Sequence, residues 1–180
     1  MEQKMKLGIL GTGMIVKEFL PWLAGADSPF QVQALCSTQR SAPLAAELCA
    51  RYHVPQCTTN YLELLQWVDV VYLAVPNLQH TRYAKVALEA GKHVLCEKPM
   101  AATEADARRM LEARDKSGKL LTIGYQYRHF PVNQVAKRTI DDGWLGDIYY
   151  AESTYLRRRG VPTWGCLLYT SPSPRDRQKS

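Results

Sequence analysis

Val68 to Val75, reading Val-Asp-Val-Val-Tyr-Leu-Ala-Val, is the stretch that most restricts how this chain can fold. A nearly unbroken β-branched and apolar run of this length suits a strand covered on both faces, as in the middle of a parallel sheet. Strand-like and helix-like signals alternate around it. Met5 to Leu10 is a short apolar run ending at Gly11, and residues 14–23 then carry Ile15, Phe19, Trp22 and Leu23 on a helical stripe. Gln31 to Cys36 reads as a second strand, and Ser41 with Pro43 predicts a helix running to Tyr52. After the central run, Tyr83, Val86, Ala87 and Ala90 recur at helical spacing until Gly91 stops them. Lys92 to Leu95 is again short and apolar. Thr103-x-x-Asp106 is a capping box for a helix ending near Gly118, and Leu120 to Tyr125 completes the series. The alternation predicts an α/β fold, a doubly wound parallel sheet with helices on both faces.

Size and composition leave room for one domain and the start of another, with 46% hydrophobic and 22% charged residues arguing for a globular chain. No apolar run reaches membrane-spanning length and no signal-peptide pattern opens the chain, so a cytoplasmic protein without a membrane partner is expected. Cys36, Cys49, Cys57, Cys96 and Cys166 lie far apart, without metal-ligand spacing. They are expected to be buried reduced thiols, and no metal site is expected. The net charge of +6 is spread along the chain apart from Arg157 to Arg159, which argues against nucleic acid.

The end of the chain is of another kind. Cys166 to Asp176 back-translates, with a first base from a Gly165 codon, into a transposase-type sequencing-library adapter. Residues 166–180 are therefore expected to be an artefactual, disordered tail, to be left out of fold reasoning, on a protein cut short near Gly165.

Two motifs carry chemistry. Gly11-Thr12-Gly13 follows a strand and precedes a helix, the setting in which the first glycine permits a tight turn and the second lets backbone approach a pyrophosphate. Val16 stands where a third small residue is usual, which predicts looser helix–strand packing. The acidic residue expected after the second strand, where it would hold a ribose, is absent. Cys36-Ser37-Thr38-Gln39-Arg40 stands there instead. Hydroxyls and a guanidinium suit a 2′-phosphate, favouring NADP with NAD left open. Arg40 could equally lie along the surface of the next helix. The second motif is Cys96-Glu97-Lys98-Pro99 at the end of a short strand. A lysine there points into the crevice where open α/β sheets bind ligands, Pro99 biases Lys98 toward an extended backbone, and Glu97 can hold or tune its charge. An exposed Glu–Lys pair can also be only a solvated loop.

Together with Ala74-Val75-Pro76-Asn77-Leu78-Gln79-His80, Ala90 to Pro99, Gly124-Tyr125-Gln126-Tyr127-Arg128 and Gly143 to Ile148, these motifs resemble the N-terminal half of Gfo/Idh/MocA-type oxidoreductases. The resemblance implies a Rossmann-type dinucleotide-binding domain over residues 1–123. A linker helix and the truncated start of a second α+β domain would follow over 124–165, with Asp147 to Arg159 as one strand of a second sheet. It assigns Lys98 to catalysis, at the nicotinamide and the substrate hydroxyl. The cofactor set would be Gly11, Thr12, Gly13, Met14, Ile15, Ser37, Thr38, Arg40, Val75, Pro76, Asn77, His80, Glu97, Lys98 and Arg128. For His80 the alternative is a structural hydrogen bond at a helix start; for Arg128 it is a solvated charge. Arg157 to Arg159 with Trp164 resemble a loop that returns to the site. The implied activity is hydride transfer between NAD(P) and a hydroxyl or carbonyl of a sugar, polyol or related small molecule. The parent would be a possible homo-oligomer through its second domain. A glycosidase using nicotinamide transiently and a non-catalytic dinucleotide sensor are the alternatives, with Lys98 counting against the sensor.

Overall fold

The computed structural model describes residues 4–154 and Leu156. Its central strand, β4 (Val70–Leu73), is buried at every position, as a strand covered on both faces must be. It is shorter than the apolar run that announces it. Val68 closes the preceding helix, and Asp69 is held by its neighbours: its carboxylate accepts from the Lys6 amide at 2.9 Å and its own N–H donates to the Lys6 carbonyl at 2.8 Å. The other strands are β1 (Met5–Leu10), β2 (Phe30–Cys36), β3 (Gln56–Thr58), β5 (His93–Cys96) and β6 (Leu121–Ile123). All pair in parallel, in the order β3-β2-β1-β4-β5-β6. Strand order reverses between β1 and β4, and such a switch point opens a crevice at the carboxyl ends of the strands.

Helices α1 (Met14–Leu23) and α2 (Ala42–Arg51) cover one face, where Val16, Leu20, Ala45 and Leu48 pack on Leu7, Ile9 and Tyr72. Helices α3 (Tyr61–Trp67), α4 (His80–Glu89) and α5 (Glu104–Ser117) cover the other, where Leu64, Leu65, Ala84, Leu88 and Met110 pack on Val71, Leu73 and Val94. The sheet is thus doubly wound, as expected. Val16 is only 1% exposed, so valine there fills the helix–sheet contact and does not loosen it. The Thr103 hydroxyl accepts the Asp106 amide at 3.2 Å and Gly118 closes α5 at φ +64°, the two ends the sequence predicts. Cys36, Cys49 and Cys96 are buried, whereas Cys57 is exposed on β3, one of the sheet's two edge strands.

The chain divides into two units, Met1–Gln134 and Val135–Ser180. The first holds the whole sheet. Helix α6 (Pro131–Asp141) runs out of it, and in the second unit Gly143 and Gly146 turn the chain at φ +76° and +60°. The strand expected from Asp147 onward is not present among the described residues: Ile148, Tyr149 and Tyr150 are exposed in irregular backbone. A strand needs a neighbour to take its backbone hydrogen bonds, and no described residue supplies one. Arg157 to Arg159, Trp164, Cys166 and the expected tail lie outside the described residues.

Candidate functional site

Register builds the site. Thr58, Cys36, Leu10, Leu73, Cys96 and Ile123 form one row across the sheet, so all six strands end at the same level. Gly11, Ser37, Ala74, Glu97 and Gly124 each leave that row with an N–H donated to a neighbouring strand's carbonyl at 2.8–3.0 Å. The segments carrying the predicted site residues therefore start from a common, hydrogen-bonded edge. Around the switch point this edge brings together the turn after β1, the β4 loop and the β5 loop.

The two glycines of the first turn are glycine for different reasons. Gly11 has φ +124°, and a Cβ there would lie 2.4 Å from the Ala74 carbonyl oxygen; the fold itself excludes a side chain. Gly13, at φ −68°, has nothing within 4 Å of a Cβ, so the protein's own packing does not demand glycine. The space it leaves lies at the N-terminus of α1, which has no side-chain cap and no acidic residue in its first turn. Free amides and the positive end of the helix dipole suit a phosphate there. Thr12 is buried beside it, Ile15 half-buried and Met14 exposed.

After β2, the predicted group is partly engaged with itself. Ser37 is buried and its hydroxyl donates to the Thr38 carbonyl at 3.1 Å, while the Thr38 and Ser41 hydroxyls share a hydrogen bond of 2.9 Å. Gln39, not singled out from the sequence, donates its amide to Thr59 Oγ1 at 2.9 Å and ties this loop to the next. Arg40 is exposed and makes no ion pair among the described residues.

In the β4 loop, Val75 and Pro76 lead to Asn77, whose side-chain oxygen is buried without a hydrogen-bond partner among the described residues. A buried amide oxygen left unpaired costs about 1–3 kcal/mol, so this atom awaits a donor. His80 follows, 1% exposed, with Nε2 2.9 Å from the Val75 carbonyl oxygen and Nδ1 2.9 Å from that of Pro99.

Glu97 does not pair with the Lys98 ammonium. Its Oε1 accepts from the Tyr72 hydroxyl at 2.7 Å and its Oε2 from the Lys98 backbone N–H at 3.2 Å. Burial, reinforced by this bond to Glu97, pushes the Tyr72 phenol well above its ordinary range, so it stays a donor. The expectation that Glu97 holds the lysine's charge gives way to one in which it holds the lysine's backbone. Lys98 itself is exposed beyond β5, and the Lys98–Pro99 bond is cis. Gly124 lies beside this carboxylate: a Cβ there would stand 3.4 Å from Glu97 Oε1, an ordinary contact. Tyr72 is not among the residues the sequence singles out, and Gly124 enters there only as part of a family motif; a lone phenol inside an apolar strand was the available signal. Arg128 sits exposed in a 3₁₀ turn at Gln126–His129 and its carbonyl accepts from Gln134 at 3.2 Å. Among the described residues no cluster of metal-ligating side chains occurs, and no helix is long and apolar enough to cross a membrane.

This arrangement is that of a dinucleotide-binding sheet, and comparison with known proteins agrees. The model of an oxidoreductase family with an NAD-binding Rossmann fold, Gfo/Idh/MocA, matches residues 5–125. D-glucoside 3-dehydrogenase of Escherichia coli K12 is 32% identical over 163 residues, covering 89% of this chain and 46% of that protein. Inositol 2-dehydrogenase of Salmonella typhimurium is 34% identical over 164 residues, covering 89% and 48%. Apo scyllo-inositol dehydrogenase from Lactobacillus casei is similar in fold, with a TM-score of 0.73 at 24% identity over 81% of this chain and 44% of that one. KijD10, a 3-ketoreductase from Actinomadura kijaniata in complex with TDP-benzene and NADP, gives a TM-score of 0.69 at 29% identity over 78% and 44%. The chain spans about half the length of the curated relatives it matches. It belongs to the Gfo/Idh/MocA oxidoreductase family.

Proposed function

We propose that this chain is the cofactor-holding half of an NAD(P)-dependent dehydrogenase acting on a CH–OH group of a sugar, polyol or related small molecule. The observation that carries the reading is the buried Asn77 oxygen in the loop after β4, without a partner among the described residues and next to the strand that delivers Lys98. An orphan acceptor on one side and an exposed ammonium on the other suit a ligand with a hydrogen-bond donor and a reacting oxygen. The matched relatives, whose names include D-glucoside 3-dehydrogenase and inositol 2-dehydrogenase, support the substrate class.

Residues present fit the cofactor. Gly13 and the first amides of α1 would take the diphosphate, with Thr12, Met14 and Ile15 around it. Val75, Pro76 and Asn77 would line the ribose and nicotinamide, Asn77 accepting from a donor there. When bound, the nicotinamide exchanges a hydride with the substrate carbon. Lys98 contacts the substrate oxygen and moves its proton, which leaves as the hydroxyl becomes a carbonyl. Glu97 fixes the Lys98 backbone, and Arg128 would face the same cleft. NADP is the preferred cofactor in this reading, because Thr38 and Arg40 stand where a carboxylate would repel a 2′-phosphate; the NADP in the KijD10 complex is consistent with it.

Lys98→Met, made in the chain carried on to its relatives' full length, tests the assignment. Turnover should fall by about 10²–10⁴, the usual contribution of a placed acid or base, with cofactor affinity within a few-fold. Turnover that survives the change would return Lys98 to the solvated loop.

A further inference from the structure

We infer that His80 is a positioning residue that ties the β4 loop to the β5 loop and so sets the distance between Asn77 and Lys98. Its ring has no polar edge left for a ligand. Nε2 faces the Val75 carbonyl oxygen and Nδ1 the Pro99 carbonyl oxygen, each at 2.9 Å, and the residue is 1% exposed. The two carbonyls belong to different loops. Val75 lies just before Pro76 and Asn77, past the end of β4; Pro99 directly follows Lys98, past the end of β5. Backbone hydrogen bonds join these strands up to the common edge, the last being Glu97 N–H to the Leu73 carbonyl at 3.0 Å. Beyond that edge the imidazole takes over from the ladder.

The ring is a rigid bridge because its base is rigid. His80 is the first residue of α4, and α4 is anchored by Ala84, Ala87 and Leu88, all 0% exposed in the core. The Val75 and Pro99 carbonyls can only accept, so the tie to both is made with a hydrogen on each ring nitrogen; a neutral tautomer would donate to one carbonyl and only abut the other. Removing it leaves two backbone acceptors without their partner, and both loops lose their tie to the helix at once. His80 thereby acts on the reaction through Val75 and Pro99, not by touching cofactor or substrate. The catalytic consequence rests on the proposed role of Lys98; the tie between the loops does not.

Hydrogen exchange read by mass spectrometry on the cofactor-free protein, extended to its relatives' full length, tests the tie. In His80→Leu, amides of residues 74–79 and of residues 97–101 should both exchange about tenfold faster, the effect of one lost hydrogen bond, with peptides of β2 and α2 unchanged. His80→Gln should recover part of the protection, since one amide nitrogen carries two N–H donors. In the same variants turnover should fall by a larger factor than NADPH affinity, and Gln should recover part of that too. Exchange that changes in neither loop, or in one alone, overturns the tie. Unchanged exchange with weaker NADPH binding overturns it as well and makes His80 a direct cofactor contact. If His80→Leu does not fold, His80→Gln decides: both loops accelerated together support the tie, and either loop at the wild-type rate refutes it. A Lys98→Met enzyme with full turnover would remove the functional reading and leave the exchange result standing.

Discussion

The Tyr72 phenol donates to the Glu97 carboxylate at 2.7 Å, from the middle of the sheet to its carboxyl edge. Tyr72 pairs with Leu95 across β4 and β5, so Glu97, two residues on, returns to the same face of the sheet as Tyr72. That face is the one covered by α1 and α2, and Glu97 shares an apolar recess of about 220 Å³ there with Phe19, Leu23, Leu95 and Thr122. The carboxylate is therefore anchored beneath the loop.

A carboxylate anchored in this way predicts a graded response. Glu97→Gln keeps an oxygen for the Tyr72 hydroxyl and should lower turnover by less than about fivefold, roughly one neutral hydrogen bond. Glu97→Ala removes both contacts and should cost about tenfold or more, and Tyr72→Phe should fall between them. Steady-state kinetics of the three variants in the full-length protein settle it. A Glu97→Gln loss as large as that of Glu97→Ala would show that the charge itself, and not the hydrogen bonds, is what matters.

The glycine turn separates fold from binding. Gly11→Ala meets the Ala74 carbonyl at 2.4 Å in a backbone at φ +124°, so it should destabilise the protein by about 1–3 kcal/mol or more. Gly13→Ala, at φ −68° with open space around it, should cost at most about 1 kcal/mol, the difference between glycine and alanine at a helix cap. NADPH binding should weaken at least tenfold in Gly13→Ala if the diphosphate lies at Gly13 as proposed, since the new methyl would stand in its place. Urea denaturation and fluorescence titration separate the two effects, and equal stability losses with unchanged affinity would contradict the assignment.

The same contrast explains what the sequence made legible. Long-range order came from local signals: the β-branched run around β4, the glycine after β1 and the capping box of α5 each announce their element through a few adjacent residues. Strand β3 announced nothing, because a three-residue edge strand with exposed Cys57 has no alternation to read. Helix α3 was missed although Asn60 caps it, its side chain accepting the Leu62 amide at 3.0 Å; seven residues are too few for a clear periodic stripe. At the site, residue types were legible and their partners were not. Glu97 beside Lys98 in sequence suggested an ion pair, but strand alternation sends the carboxylate to Tyr72. His80 finds its acceptors 5 and 19 residues away, distances that only the paired loops bring together.

Arg40 is the group that should set cofactor choice. It is exposed, free of ion pairs among the described residues, and follows a strand end with no carboxylate. The protein should bind NADPH more tightly than NADH, and Arg40→Ala should narrow that gap by about 1–3 kcal/mol, the scale of a charge-assisted hydrogen bond. Tighter NADH binding in the unaltered protein, or a gap indifferent to Arg40→Ala, would reverse the preference.

Buried thiols predict how stability depends on alkaline pH. Burial pushes Cys36 from 9.0 up to about 11 and Cys96 up to about 12, and Glu97 adds to the effect at Cys96. Cys49 is pushed up to about 12, first by burial and then by the neighbouring Cys57 thiol. In the unfolded chain these thiols ionise near 9, so between about pH 9 and pH 12 the folded state binds more protons than the unfolded one. Stability linked to these groups is complete below about pH 9 and is lost as pH rises through the folded values. The urea midpoint should fall between pH 8 and pH 10.5, and Cys96→Ala should make that fall shallower. In the folded protein at pH 8, a thiol-specific disulfide reagent should modify exposed Cys57 well before Cys36, Cys49 or Cys96, which should react only on unfolding. Early modification of Cys96, or an alkaline slope unaffected by Cys96→Ala, would show that the thiols do not titrate as their burial requires.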